Sequence, residues 1–187
     1  MLIIISGSSG VGKNTIINRL FEESDKLALL PTMTTREMRP GESQNNPYRF
    51  VTKDEFKEAI ARGEMLEYCE IHGNLYGTNR RILEEMQQAG KVLIKDIDVE
   101  GTLNLTRALP SVVSIYLKPV SREQLVERLK GRGETQIELR LNRYDYEEEM
   151  SVHYKHVLIN DKIEDTLERI RRIIREEAAA EGIPSPI

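Results

Sequence analysis

The sequence predicts an α/β fold, a parallel sheet flanked by helices with an inserted lobe and a helical lid. Three observations carry that prediction. Short, unalternating apolar runs at residues 1–6, 91–98, 112–117 and 156–159 are partly β-branched, as strands buried on both faces are. Amphipathic segments of helical spacing stand between those runs, and strand–helix alternation implies right-handed crossovers. A glycine-rich turn ending in lysine joins the first run to the first amphipathic segment.

Each element follows in order. After the first strand, Lys13–Glu23 sets Ile16, Ile17, Leu20 and Phe21 on one stripe. Thr52 and Glu55 have capping-box spacing and open a helix with Phe56, Ala59 and Ile60 turned inward, ended by Gly63 as its C′ residue. Thr78 is expected to cap a helix reaching about Gln88 and closed by Ala89-Gly90. Ser121 with Gln124 opens another, and Asp161 with Glu164 opens a long last helix whose apolar face is Leu167, Ile170, Ile173 and Ile174. The tail after Gly182, with Pro184 and Pro186, is expected to fray.

Two stretches break the alternation. Residues 32–78 are polar and turn-rich, with Arg36, Arg39, a Pro40-Gly41 turn and scattered tyrosines, and read as an inserted lobe. Residues 128–143 are densely charged, with Gly131 and Gly133 around Arg132, and read as a lid over the sheet's carboxyl edge. The bland alternative for both is ordinary solvated surface. The chain then divides as one domain with a core of 1–31, 79–125 and 150–187, a lobe of 32–78 and a lid of 126–149.

Length and composition bound the function. The 187 residues suffice for one domain with a sizeable core. With 39% apolar and 31% charged residues, disordered, collagenous and coiled-coil rod readings fail. A net charge of −4 gives no overall field favouring nucleic acid or anionic membrane, so an anionic ligand must be held by a local cluster of donors. Aromatic residues are 5% with no Trp, a poor basis for base-stacking platforms. The apolar run 1–5 is too short for a membrane span or a signal-peptide core, and a lone Cys69 fits a reducing compartment, so a cytoplasmic location is expected. His72, His153 and His156 show no metal-ligand spacing with Cys69 or one another and read as structural. Oligomeric state is not legible.

The turn Gly7-Ser8-Ser9-Gly10-Val11-Gly12-Lys13-Asn14-Thr15 carries the first functional signal. Its Gly-x-x-x-x-Gly-Lys spacing between strand and helix is that of a P-loop. Glycines let backbone amides wrap a phosphate, the helix N-terminus adds partial positive charge, and Lys13 reaches the outer phosphates. A ligand-free glycine-rich turn is the plain alternative. Asn14 stands where Ser or Thr usually supplies a hydroxyl to Mg²⁺; its amide oxygen can ligate a hard cation, and Thr15 is the neighbouring hydroxyl.

Phosphoryl transfer needs positioning and charge neutralisation, hence a second anion site and mobile cations. Thr34-Thr35-Arg36-Glu37-Met38-Arg39-Pro40-Gly41-Glu42, then Tyr48, Glu67, Gly73-Asn74-Leu75-Tyr76-Gly77-Thr78 and Asp96-Ile97-Asp98, in that order, resemble the guanylate kinase family. So do Arg128-Leu129-Lys130-Gly131-Arg132-Gly133 and Arg143, and the resemblance runs from Ile4 to Ile159-Asn160-Asp161. It implies a P-loop NTPase-type sheet with a GMP-binding lobe and a lid, ATP as co-substrate with Mg²⁺, and transfer of the γ-phosphoryl group to GMP and dGMP.

The resemblance also implies residue roles. Gly7 through Thr15 would bind ATP. Arg36 and Arg39 would hold the GMP phosphate with Tyr48 and Tyr76, a task suited to planar guanidinium forks. Glu67 would accept from guanine N1–H and the 2-amino group, with Thr78 facing O6 and Asp96 near the base; adenine lacks that donor pair. Thr32 stands where the family usually has Ser. Lys13, Arg39, Arg128, Arg132 and Arg143 would be the catalytic cations, and Asn14 and Asp98 the metal-side residues, Asp98 through water. The lid reads Glu134-Thr135-Gln136-Ile137-Glu138 where the family usually carries Thr-Glu-Thr-Glu-Glu. Taken singly, the arginines also read as a solvated face and Asp96 and Asp98 as strand-end turn carboxylates. Two other functions stay open: a related module that has lost catalysis and binds a protein, and a kinase of another phosphorylated acceptor.

Overall fold

The computed structural model describes residues 1–131 and 133–187. Along the chain lie β1 (Leu2–Gly7), α1 (Lys13–Glu23), β2 (Leu27–Leu29), β3 (Thr32–Thr34), β4 (Tyr48–Phe50), α2 (Lys53–Ala61), β5 (Met65–Ile71) and β6 (Asn74–Asn79). Then come α3 (Arg80–Gln88), β7 (Val92–Asp96), α4 (Val99–Ala108), β8 (Val113–Lys118), α5 (Arg122–Gly131), α6 (Ile137–Met150), β9 (His156–Ile159) and α7 (Ile163–Ala180). The main sheet has strand order β2-β7-β1-β8-β9 and every pairing in it is parallel. All its carboxyl ends therefore meet at one edge, where α/β proteins bind ligands.

Both faces of that sheet are covered, which is why its strands read as continuous apolar runs. Ile3 and Ile5 of β1 pack with Ile16, Ile17 and Leu20 of α1 and Leu167, Ile170 and Ile174 of α7. Leu2 and Ile4 face the other way, onto Ile82 and Leu83 of α3 and Leu105 of α4. A second sheet, order β4-β3-β6-β5, is mixed, and with α2 it encloses its own small core of Met33, Phe56 and Ala59. The α/β class expected from the sequence is the observed one.

Several local expectations change. The capping box at Thr52 and Glu55 forms as expected, with the Thr52 hydroxyl accepting from the Glu55 amide and the Glu55 carboxylate accepting from the Thr52 amide. Thr78 does not cap α3, because it pairs with Glu67 across β5 and β6 and its hydroxyl is spent there; Asn79 caps instead, Oδ1 accepting from Ile82 N at 3.2 Å. Asp161 does not cap α7 either: Lys162 is the N-cap residue and makes no side-chain cap bond. The start of α7 is tied down by Thr166, whose hydroxyl donates to Asn160 Oδ1. Helix α4 and strand β2 were not expected. Asp98, read as a strand-end ligand, is the N-cap of α4 and accepts from Gly101 N at 2.9 Å. The tail is not frayed: Ser24 donates to Pro186 O, Lys26 to Ser185 O at 3.2 Å, and Ile183 and Ile187 pack on the α1–α7 core. Ile137, where the lid sequence departs from the family's usual one, packs with Leu125, Leu129, Leu141 and Tyr144 between α5 and α6.

Candidate active site

Gly7 ends β1 and begins the turn at the carboxyl edge. Its φ is +144°, and a Cβ there would lie 2.3 Å from Leu117 O on the paired strand, so only glycine lets the turn leave the sheet. Gly12, at φ +105°, is the N-cap of α1 and supplies no side-chain cap. The first amides of α1 are thus left for a ligand, and an uncapped helix N-terminus preceded by glycine turns is an anion site in waiting. Lys13 Nζ folds onto Gly7 O at 2.6 Å, filling the space in which a phosphate would replace that contact.

Beside the turn lies a cleft of about 280 Å³ lined by Gly7, Ser9, Lys13, Asp96, Ile97, Asp98, Arg140, Arg143 and Glu147. Lys13 and two lid arginines supply its positive charge, and Asp96 and Asp98 its negative charge. Arg143 of α6 donates to Asp98 Oδ2 at 2.8 Å and to Glu147 of its own helix at 2.9 Å, so α6 is tied to the turn between β7 and α4. Asp96 exposes its carboxylate at the edge, yet the protein crowded around it raises its pKa, against the pull of Lys13 and Lys95. Arg128 points elsewhere: it donates to Val11 O at 3.2 Å and Asn160 O at 3.4 Å, on the far side of the loop. There a cavity of about 580 Å³ is lined by Gly10, Gly12, Thr15, Arg128 and the turn before α7. Arg132 lies outside the described residues.

A second pocket, about 380 Å³, opens between the two sheets. Thr32, Tyr48, Glu67, Cys69, Tyr76 and Gly77 line one side, and Ile97, Asp98, Gly101 and Asn104 the other. Tyr48 and Tyr76 meet edge to face with centroids 6.1 Å apart. Glu67 is buried, and burial raises its pKa; the Thr78 hydroxyl, which donates to Oε1, and the charge of Lys95 pull it back down. Thr78 is wholly buried behind Glu67 and does not line the pocket.

Arg36 and Arg39 stand off the pocket wall. Arg36 is forked onto Glu42 at 2.7 and 3.0 Å and lies over the rings of Tyr48 and Phe50, 5.1 and 5.3 Å from their centroids. Arg39 is exposed, and among the described residues its guanidinium has no hydrogen bond. Glu42 holds the two together, accepting from the Arg39 backbone amide as well.

The donor chemistry suits Mg²⁺ at Asn14. Its side chain is exposed at the N-terminal turn of α1, carries a hard amide oxygen and makes no hydrogen bond among the described residues. Asp98 has both carboxylate oxygens engaged, one by Gly101 N and one by Arg143, and its half-exposed side chain keeps lone pairs for a bridging water.

Sequence reasoning missed three residues of this region. Glu42 was quoted without a role, although it organises the arginine pair. Asn160, 2% exposed, donates to Val11 O at 2.7 Å and braces the loop. Lys95, 0% exposed, donates to Thr32 Oγ1 at 2.9 Å beside the second pocket; the one signal for it was a lysine inside an apolar run.

A phosphate-binding turn at the carboxyl edge of a parallel sheet, with helices on both faces, defines a P-loop nucleotide-binding protein. The family model described as guanylate kinase matches residues 1–177. The chain is 39% identical over 180 residues to the guanylate kinase of Lactococcus lactis, covering 95% of this chain and 88% of that one. It is 39% identical over 176 residues to the guanylate kinase of Trichodesmium erythraeum, covering 92% and 95%. The crystal structure of guanylate kinase from Anaplasma phagocytophilum aligns with a TM-score of 0.70 at 31% identity, over 95% of this chain and 85% of that one. The chain belongs to the guanylate kinase family.

Proposed function

We infer that the chain transfers the γ-phosphoryl group of ATP to GMP, giving ADP and GDP, with dGMP as a second acceptor. One observation supports this above the others: Ile97 and Asp98 line both the Lys13 cleft and the Glu67 pocket, so donor and acceptor sites meet at the end of β7.

The loop from Gly7 to Thr15 would wrap the ATP phosphates through its amides, and Lys13 would leave Gly7 O for the transferring group. The purine would lie between Tyr48, Tyr76 and Ile97, where Glu67 would accept from the N1–H and 2-amino donors of guanine, with Thr32 on the wall and Asp96 near the base. The Arg36–Glu42 fork lies over Tyr48, and Arg36 and Arg39 would hold the GMP phosphate. A GMP phosphate oxygen, already ionised at neutral pH, attacks the γ-phosphorus; that bond forms as the bond to the β-bridging oxygen breaks and ADP leaves with its electrons. Lys13, Arg140 and Arg143, which line one cleft, would neutralise the charge spread over the transferring group. Mg²⁺, when bound, would neutralise charge on the β- and γ-phosphates; Asn14 would hold it, with Asp98 through water. Closure of the α5–α6 lid over residues 32–78 would exclude water and spare ATP from hydrolysis. The full glycine set and Lys13 favour catalysis over a protein-binding module, and Glu67 favours GMP over other acceptors. The lone Cys69 accords with a cytoplasmic location, and no helix of the described residues is long and apolar enough to cross a membrane.

A coupled ADP-release assay with MgATP and GMP, dGMP, AMP, CMP or UMP in separate wells tests this. Turnover with GMP and dGMP alone is expected; turnover with another acceptor and none with GMP would overturn it.

A further inference from the structure

Lys95 is a cation with no place in an ordinary sheet. It stands in mid-β7 opposite Ile4 of β1 and is fully buried. Its pair partner Ile4, and Leu93 two residues before it on the same face, belong to an apolar cluster with Ile82 and Leu83 of α3, Leu105 of α4, Leu30 and Leu66. The titratable groups bearing on Lys95 are Glu67 of β5 and its own neighbour Asp96; one step out, Asp98 is latched by Arg143 and Asp96 faces Lys13. Its one hydrogen bond among the described residues goes to Thr32 Oγ1 at 2.9 Å. A buried ammonium costs stability unless it does something that an apolar side chain cannot.

The constraint it imposes falls on Thr32. A hydroxyl has one proton and two lone pairs, and an ammonium can only donate. The Thr32 oxygen must therefore accept from Lys95, and its own proton is turned elsewhere. Among the described residues that proton has no acceptor, and Thr32 lines the acceptor pocket beside Glu67. The pocket so presents a fixed donor from Thr32 next to a carboxylate acceptor from Glu67. Guanine carries the complement on one edge, an O6 acceptor beside N1–H and 2-amino donors. Adenine presents a donor where guanine has O6.

We propose that Lys95 is a positioning residue for base selection, holding the Thr32 hydroxyl as a donor toward guanine O6, beside the Glu67 carboxylate that accepts from the neighbouring N–H groups. This rests on the GMP reading above. A consequence follows from the charge. Burial brings the Lys95 pKa down to about 8, with Glu67 and Asp96 pulling it up. As pH rises through that value the ammonium becomes a neutral amine with a lone pair of its own, and Thr32 is no longer fixed as donor.

The test is steady-state kinetics at saturating MgATP with GMP varied, from about pH 7 to about pH 9.5, for the native chain, Lys95→Met, Thr32→Val and the double variant. Loss of a charge-assisted bond in a desolvated pocket predicts a KM for GMP raised about tenfold in Lys95→Met, with kcat and the KM for ATP moving less than about twofold. Thr32→Val should do the same, and the double variant should be no worse than either single one. The native KM for GMP should climb across about pH 8, and Lys95→Met should lack that climb. A KM for GMP within about twofold of native in Lys95→Met, or single losses that multiply in the double variant, overturns the proposal. Should Lys95→Met not fold, a native KM flat across that pH range overturns it equally. A native chain that turns over another acceptor but not GMP would bring down the substrate reading, and this inference with it; GMP turnover with an indifferent Lys95→Met brings down the inference alone.

Discussion

The donor side and the acceptor side of this molecule are built from different materials. The phosphate loop is backbone: nine consecutive residues whose glycines bend the chain so that amides, not side chains, face the ligand. The proposed acceptor pocket is side chains: Thr32 and Glu67 line it, Lys95 and Thr78 bond to them from behind, and the four come from four strands in two sheets, joined by register between β5 and β6 and by packing of one sheet on the other. A backbone-built site tolerates side-chain drift except where glycine or the lysine is needed. A side-chain-built site fails one residue at a time and can be tuned one residue at a time.

The largest effect should come where the loop does rely on a side chain. Lys13→Ala removes the one mobile cation of the loop from the cleft it shares with Asp96 and Arg143. Loss of one preorganised charge at the transferring group predicts a kcat about 10²–10³-fold lower. The KM for GMP should hold, because GMP is held across the sheet edge. Steady-state rates check this, and a large rise in that KM would show that the two sides are less separate than the geometry implies.

Glu67→Gln comes next. An amide in place of the carboxylate keeps the shape, loses an acceptor and points a donor at guanine's donors, so kcat/KM for GMP should fall about 10²-fold while that for AMP changes little. An unchanged GMP:AMP ratio would sink the pocket described. The same residue sets an acid limit. Burial raises its pKa, so the ionised form that accepts from guanine is lost at a higher pH than an ordinary carboxylate would allow. The KM for GMP in the native chain should accordingly rise as pH falls toward that point.

Those two sites also differ in how far the sequence disclosed them. The loop lies within one stretch, its spacing states its chemistry, and the strand and helix that frame it have patterns of their own. Most of the main sheet and its helices was legible for the same reason, since burial on both faces writes long apolar runs. Glu67 and Thr32 looked like any carboxylate and hydroxyl until the family resemblance gave them a place. Thr78 was misread as a cap because its partner is 11 positions away across a hairpin, a relation no local pattern carries. Asp98 was read as a metal-side ligand or a strand-end turn carboxylate and not as a helix cap, although the Gly101 amide three residues on donates to it at the start of α4. The three residues of β2 are too few to show a period, and the tail's anchors, Ser24 and Lys26, lie at the opposite end of the chain. Lys95 was visible as a misfit in an apolar run, without a partner to explain it.

That misfit makes a smaller prediction about stability. The folded state depresses the Lys95 pKa from 10.5 to about 8, so between those values the unfolded chain holds a proton that the folded chain has released. The cost of burying the charge is therefore full below about pH 8 and fades as pH rises toward 10.5. Lys95→Met should stabilise the protein by about 1–3 kcal/mol at neutral pH, the upper figure being that pKa shift converted and the lower allowing for Glu67 left without its cation. Urea unfolding at neutral and alkaline pH checks it, the gain shrinking in alkali. A destabilised Lys95→Met would mean that the ammonium holds the two sheets together, and the acceptor pocket would then be less freely tunable than its construction suggests.

The smallest effect should return to the loop. Asn14 departs from the hydroxyl usual after the P-loop lysine, which on motif grounds alone suggests an impaired metal site. Its side chain is exposed, makes no hydrogen bond among the described residues, and offers an amide oxygen of the same hardness as a hydroxyl. The amides of the loop, not this side chain, do most of the phosphate binding, and Mg²⁺ keeps several waters and takes much of its coordination from the nucleotide. Asn14→Ser should therefore change kcat by no more than about threefold, less than 1 kcal/mol, and shift the Mg²⁺ concentration for half-maximal rate more than the rate itself. A rise of tenfold or more in kcat would show that the loop depends on this side chain after all, and that the native chain runs its donor side below the capacity of its own backbone.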